Sequence, residues 1–132
     1  MITLYGELYS SKNARQIVRV RGRMLLVKSK QCQKGEKLFA PQMEELRDAF
    51  ISECESQIGD VKKPLKIAFK IYRQSHRRFD YVNIVQSLLD LMVKYHWIED
   101  DNADEILPVF REYEVDKDNP RVEISIAYNK KV

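Results

Sequence analysis

The sequence predicts an α/β domain of the α+β type: one mixed sheet, two helices on one of its faces, in the order βββαβαββ. Three observations carry this expectation. Segments such as PLKIAFKIY alternate apolar and polar residues, as half-buried strands do. Two longer segments, 41–58 and 81–96, repeat apolar residues at helical spacing. With 132 residues, 44% of them hydrophobic, the chain suffices for one domain with a real core, and no repeat, low-complexity tract or Pro/Gly-rich linker divides it.

Residues 2–9, ITLYGELY, read as the first strand. Residues 16–28 read as a hairpin, with Ile17, Val18 and Val20 before a turn at Arg21-Gly22 and Met24 to Val27 after it. Lys12 and Asn13 fall in the loop before it, and 29–39 read as a polar connection. A first helix is expected from Pro41 to Ile58. Proline suits a first helical position, and Glu44 and Glu45 suit the positive end of the dipole. Its buried stripe would be Met43, Leu46, Phe50, Cys54 and Ile58, with Gly59 ending it.

Next, Leu65, Ile67, Phe69 and Ile71 alternate with Lys66, Ala68, Lys70 and Tyr72, a strand with one cationic face. The second helix is expected over about Tyr81 to His96, its stripe formed by Val82, Val85, Leu88, Leu89, Met92 and Tyr95. Two strands close the domain, near 105–115 and 121–128, joined by a turn at 116–120. Pro108 places the first of them at an edge or a bulge.

The net charge of +3 conceals a strong segregation. Residues 1–37 hold nine Lys or Arg against Glu7 and Glu36, and residues 62–78 hold seven and no acid. Residues 79–118 reverse this, with eleven acids against Lys94, Arg111 and Lys117. Basic segments suit a polyanion and an acidic cluster suits a cation, although solvated charged faces give the same pattern. No apolar run reaches the length of a membrane span, and MITLYGELYS lacks the basic-then-apolar order of a signal peptide. Cys32 and Cys54 stand in no CxxC or Cys/His spacing, which reads as reduced thiols in a cytoplasmic protein. The glycines at 6, 22, 35 and 59 are too scattered for a phosphate loop, and no organic cofactor is expected.

The residues that could do chemistry cluster around the second helix. Asp80 stands at its start, either as an N-cap or as a metal ligand with Asn83 one turn on. Glu99, Asp100, Asp101 and Asp104 are four acids in six residues, just after Trp97 and Ile98. Turn chemistry accounts for such a run, but the mutual repulsion of these anions must be offset by solvent, a cation or basic neighbours. His76 and His96 are too isolated for a histidine metal site.

RRFDYVN, a helix, and then WIEDDNAD resemble the RusA family of Holliday-junction resolvases, small phage and prophage endodeoxyribonucleases that act as homodimers with magnesium. SSKN at 10–13, PLKIAFKIY and RVEISIAY fall where that family has counterparts. The resemblance implies catalytic roles for Asp80, Asn83 and Asp100. It implies a magnesium site (manganese as the substitute) with Asp80 and Asp100 as ligands. Asp101 or Asp104 could supply a further carboxylate, since magnesium is held by one or two carboxylates plus water and phosphate oxygens. The resemblance also implies a four-way DNA junction as substrate, and the DNA contacts are expected from Lys12, Asn13, Arg15, Arg73, Arg77 and Arg78, the cations on its phosphates. Two positions depart from the family pattern: Val82 stands where a second aspartate is usual, and Gln86 where a lysine is frequent. A protein of the same fold that binds junctions without cutting them is the alternative expectation.

Overall fold

The computed structural model describes residues 1–9, 15–28, 30–58 and 63–127. In chain order the elements are β1 (Ile2–Tyr5), β2 (Arg15–Val20), β3 (Arg23–Lys28), α1 (Lys30–Ile58), β4 (Leu65–Arg73), α2 (Tyr81–Lys94), β5 (Ile106–Phe110), β6 (Glu114–Val115) and β7 (Arg121–Ile126). Five strands form one mixed sheet in the order β1-β7-β4-β5, with β6 pairing β4 beyond the end of β5. Within it, β4 runs antiparallel to β7 and parallel to β5 and β6. The α+β architecture is therefore the one the sequence predicts, and α2 is the crossover between parallel β4 and β5.

Register explains the core. Ile2, Ile124 and Phe69 stand side by side across β1, β7 and β4, and so do Leu4, Val122 and Ile71. All six are buried. Both helices pack into the single apolar cluster these rows define, α1 through Phe39, Met43, Phe50 and Cys54, α2 through Ile84, Val85, Leu88, Leu89 and Met92. The opposite side of β4 keeps Lys66, Lys70 and Tyr72 half-buried, as its alternation predicts.

Several boundaries depart from expectation for identifiable reasons. β1 stops at Tyr5 rather than Tyr9, because Gly6 takes a φ of 127° that ends the ladder. A side chain there would also collide with Leu38, whose Cδ2 occupies the space a Cβ would need. The hairpin forms with its turn at Arg21-Gly22, but as a separate two-stranded sheet. Residues 30–39 are helix, not connection, since Phe39 lies on the buried stripe one turn before Met43.

Pro41 is thus inside α1 and on its exposed side, and Glu44 and Glu45 are mid-helix. Proline cannot supply an amide hydrogen there. One turn of the neighbouring backbone is tied by Gln42, whose Nε2 donates to the Leu38 and Tyr5 carbonyls while its Oε1 accepts from the Tyr5 amide. In α2, Val82 is 59% exposed instead of buried, and Ile84 takes its place in the core. The expected 105–115 strand divides into β5 and β6.

Pro108 does lie at the sheet edge. Glu105 and Arg111 direct their backbone groups to β4, so the alternating pattern turns the position of Pro108 outward, where a missing N–H costs no ladder bond. Gly59, the SSKN segment and Tyr128 lie outside the described residues. Among the described residues, no helix is long and apolar enough to cross a membrane.

Candidate functional site: the α2 face and its acidic loop

The start of α2 is held by aromatic packing. Tyr81 stacks on Phe110 at 5.0 Å, and Phe79 meets the edge of Tyr113 at 4.9 Å. The Tyr81 hydroxyl donates to the Arg111 carbonyl at 2.6 Å, with the Phe69 carbonyl 3.0 Å away, and burial pushes its pKa up. Asp80 is the N-cap: its Oδ1 accepts from the Val82 amide at 3.1 Å, and its Oδ2 accepts from Asn83 Nδ2 at 3.2 Å. The cap that the sequence allows is formed, and Asn83 orients its second oxygen.

The far end of α2 sets the acidic loop. Tyr95 closes the helix and His96 follows at a φ of 61°. Its amide donates to Val93 and the Trp97 amide to Met92, the bonding pattern of a Schellman cap. Trp97 is thereby turned into the core, where its Nε1 donates to the Met43 carbonyl at 2.7 Å and its ring stacks on Phe50 at 4.9 Å. Lys63, just before β4, pairs with Glu105 at 2.6 Å and Glu99 at 3.3 Å, pinning both ends of the loop and raising its own pKa, chiefly through Glu105.

Within the loop the acids have different environments. Asp100 turns inward on its own segment: Oδ1 accepts from the Asp101 amide and Oδ2 from Asn102 Nδ2, both at 2.8 Å. These bonds hold its carboxyl below the usual range, the Asn102 bond most of all. Asn102 Oδ1 in turn accepts from the Asp104 and Glu105 amides. Asp104 is exposed. The repulsion expected among these acids is thus offset by Lys63, Asn102 and solvent.

Asp101 differs, because it faces α2. Its Oδ2 accepts from Gln86 Nε2 at 2.8 Å, and the same nitrogen lies 2.9 Å from Asp90 Oδ1. Two carboxylates therefore converge on one amide, with Asp101 half-buried and Asp90 exposed. Sequence reasoning alone misses Asp90, although its position four residues after Gln86 on one helix face is an available signal. Asp80 is six residues before Gln86, about 9 Å along the axis at 1.5 Å per residue. Asp80 and Asp100 are each bonded within their own segment, Asp80 to the start of α2 and Asp100 to the acidic loop. Among the described residues, no group of three or more Asp, Glu, His or Cys is placed to hold a metal ion. The expected set of Asp80, Asp100, Asp101 and Asp104 is not gathered.

Of the expected phosphate contacts, Arg77 and Arg78 are exposed just before Asp80. Arg73 is a correction. It is 8% exposed, 3.1 Å from Glu7 Oε1, and stacked over Phe79 at 4.3 Å. Its Nε hydrogen does not point along that contact, so the pair is ionic rather than hydrogen-bonded. A side chain so enclosed serves the fold and not a phosphate. Arg15 opens β2 opposite Lys28, while Lys12 and Asn13 lie outside the described residues. An open cleft of about 600 Å³ lies elsewhere, between Tyr72, His76 and Tyr113 and the acids Glu112, Glu114 and Asp116. No known family model matches the chain, and no curated protein matches it significantly.

Proposed function

We propose that this chain is a magnesium-dependent endodeoxyribonuclease selective for branched DNA, chiefly four-way junctions, acting as a homodimer in the manner of the RusA resolvases it resembles. The observation that carries the reading is the Gln86 bridge, which holds Asp101 from the loop beside Asp90 on the face of α2 that begins with Asp80. Magnesium is commonly bound by one or two carboxylates plus water and substrate phosphate, so a pair of acids fits it where a larger cage is lacking. Asp101 and Asp90 would hold the ion, and Asp80 and Asn83 would extend the polar face toward the scissile strand.

When bound, the metal would supply an activated water and offset charge developing on the phosphate. Gln86 keeps Asp101 against the helix, and Trp97 fixes the loop to the core. Arg77 and Arg78, exposed just before Asp80, would draw in the phosphate backbone and make binding strongly salt-dependent.

A second reading is junction binding without cleavage. It is favoured by Asp80, both of whose oxygens are engaged, and by Val82, exposed where the family usually has an aspartate. The purified protein on a synthetic four-way junction, with and without magnesium, separates the two. Symmetric nicking that is lost in Asp101→Asn while binding persists supports the enzyme. Binding with no cleavage under magnesium or manganese leaves the second reading, and no preference for branched over linear DNA sinks both.

A further inference from the structure

The β2–β3 hairpin forms a two-stranded sheet of its own. Among the described residues, its strands pair with each other and with no strand of the five-stranded sheet. The tip is Arg21-Gly22-Arg23-Met24, all four residues are exposed, and Met24 is 66% exposed. Arg21 and Gly22 both have positive φ, 51° and 80°, as a two-residue hairpin turn of matching twist requires. Glycine accepts that conformation freely, whereas arginine is strained in it. The apex therefore carries a cation at some conformational cost and leaves a large apolar side chain in water beside it.

A two-stranded ribbon is narrow enough for a DNA groove. Arginines there neutralise phosphates, and an exposed apolar residue can insert at a base step by partly unstacking it. Inside a continuous duplex that insertion costs about a few kcal/mol per step. At a branch point the stack is already interrupted, and much of the cost is absent. The nine Lys or Arg in residues 1–37, against two acids, give the segment the sign of charge a polyphosphate attracts.

We propose that this hairpin is a branch-point probe, with Arg21 and Arg23 on the flanking phosphates and Met24 against the terminal base pair of an arm. The inference rests on branched DNA being the substrate and deepens that reading, because it separates junction recognition from the acidic loop.

The test uses the 132-residue chain and a four-way junction carrying 2-aminopurine next to the branch point. Binding of the parent raises the probe's fluorescence as the base unstacks. Met24→Ala abolishes that rise and leaves affinity for linear duplex within about twofold. Arg21→Asn with Arg23→Ala lowers the slope of log affinity against log salt by about two, close to one for each phosphate no longer neutralised. A rise that survives Met24→Ala, or an unchanged salt slope, overturns the proposal even when the parent cuts the junction, so cleavage reports the enzyme reading separately. Binding of the parent to phosphatidylserine vesicles through these residues, with no response to the junction, also overturns it. A parent that neither binds nor cuts the junction removes both.

Discussion

Gln86 ties Asp101 to α2: one side-chain nitrogen lies 2.8 Å from Asp101 Oδ2 and 2.9 Å from Asp90 Oδ1. This bridge distinguishes two neighbouring acids of the loop. Asp100 satisfies its carboxylate within the loop, whereas Asp101 reaches across to the helix. Gln86 is a neutral amide donor, and it holds the loop acid against the helix.

On the enzyme reading, these acids respond differently to substitution. Asp101→Asn abolishes junction cleavage, whereas Asp100→Asn leaves it within about threefold. Gln86→Ala costs about 10–100-fold, the usual effect of losing a group that orients a metal ligand. Single-turnover cleavage at matched binding saturation checks all three. A larger loss in Asp100→Asn than in Asp101→Asn would reverse the assignment.

Asp100 gives a pH dependence of definite sign. Its folded-state pKa is depressed by the Asn102 side chain and then by the Asp101 amide. A carboxyl lowered on folding contributes stability that is fully present above its unfolded pKa and is lost as pH falls through the folded value. The Tm difference between the parent and Asp100→Ala is therefore largest at neutral pH. It shrinks once pH drops below the ordinary carboxylate range. Thermal melts of both proteins across that range test this, and a difference that grows toward acid contradicts it.

Arg73 belongs to the fold rather than to a DNA surface. Glu7→Gln leaves its guanidinium enclosed without a countercharge and destabilises by about 3 kcal/mol, as breaking a buried pair does. Arg73→Lys does not restore stability, because an ammonium cannot stack flat on Phe79 as the guanidinium does. Urea denaturation measures both. The salt slope of DNA binding is the control: it falls by about two in Arg77→Ala with Arg78→Ala and stays unchanged in Glu7→Gln.

How much of this is legible in the sequence depends on the range of the interactions. Alternation in β4 and helical spacing in α2 identify those elements because each residue's face follows from its own neighbours. The hairpin turn is likewise local. Residues 30–39 are not legible as helix, since Pro41 mimics a start signal and only the burial of Phe39 against other elements overrides it. The same limit applies at the site. Capping by Asp80 is local and readable, but the partnering of Asp101 with Gln86 and of Arg73 with Glu7 joins residues distant in the chain. Charge type alone does not tell which acid faces the helix or which arginine is enclosed.

His96 offers a stabilising substitution. It occupies the left-handed position of a Schellman cap, where glycine carries no Cβ penalty. Left-handed backbone costs an ordinary residue about 1–2 kcal/mol, so His96→Gly stabilises by about 1 kcal/mol once the greater freedom of glycine in the unfolded chain is counted. The main-chain acceptor that Arg47 uses at this residue is retained. Urea denaturation tests the change, and destabilisation by His96→Gly would show that the imidazole makes an interaction outweighing the strain.

Cys54 closes the set with a chemical readout. It is a free thiol, 5% exposed on the inner face of α1, and burial followed by Glu53 and Glu55 pushes its pKa up to about 11. The thiolate is the reactive form, so Cys54 resists disulfide-exchange reagents at mildly alkaline pH until the chain unfolds. The linkage has the opposite sign to that of Asp100. The folded state binds the thiol proton more tightly, so stability falls as pH rises from the ordinary value of 9.0 toward about 11. Mass-spectrometric labelling of Cys32→Ser, with and without urea, isolates this thiol. Rapid labelling under native conditions would mean that the α1–sheet packing opens far more often than its burial implies.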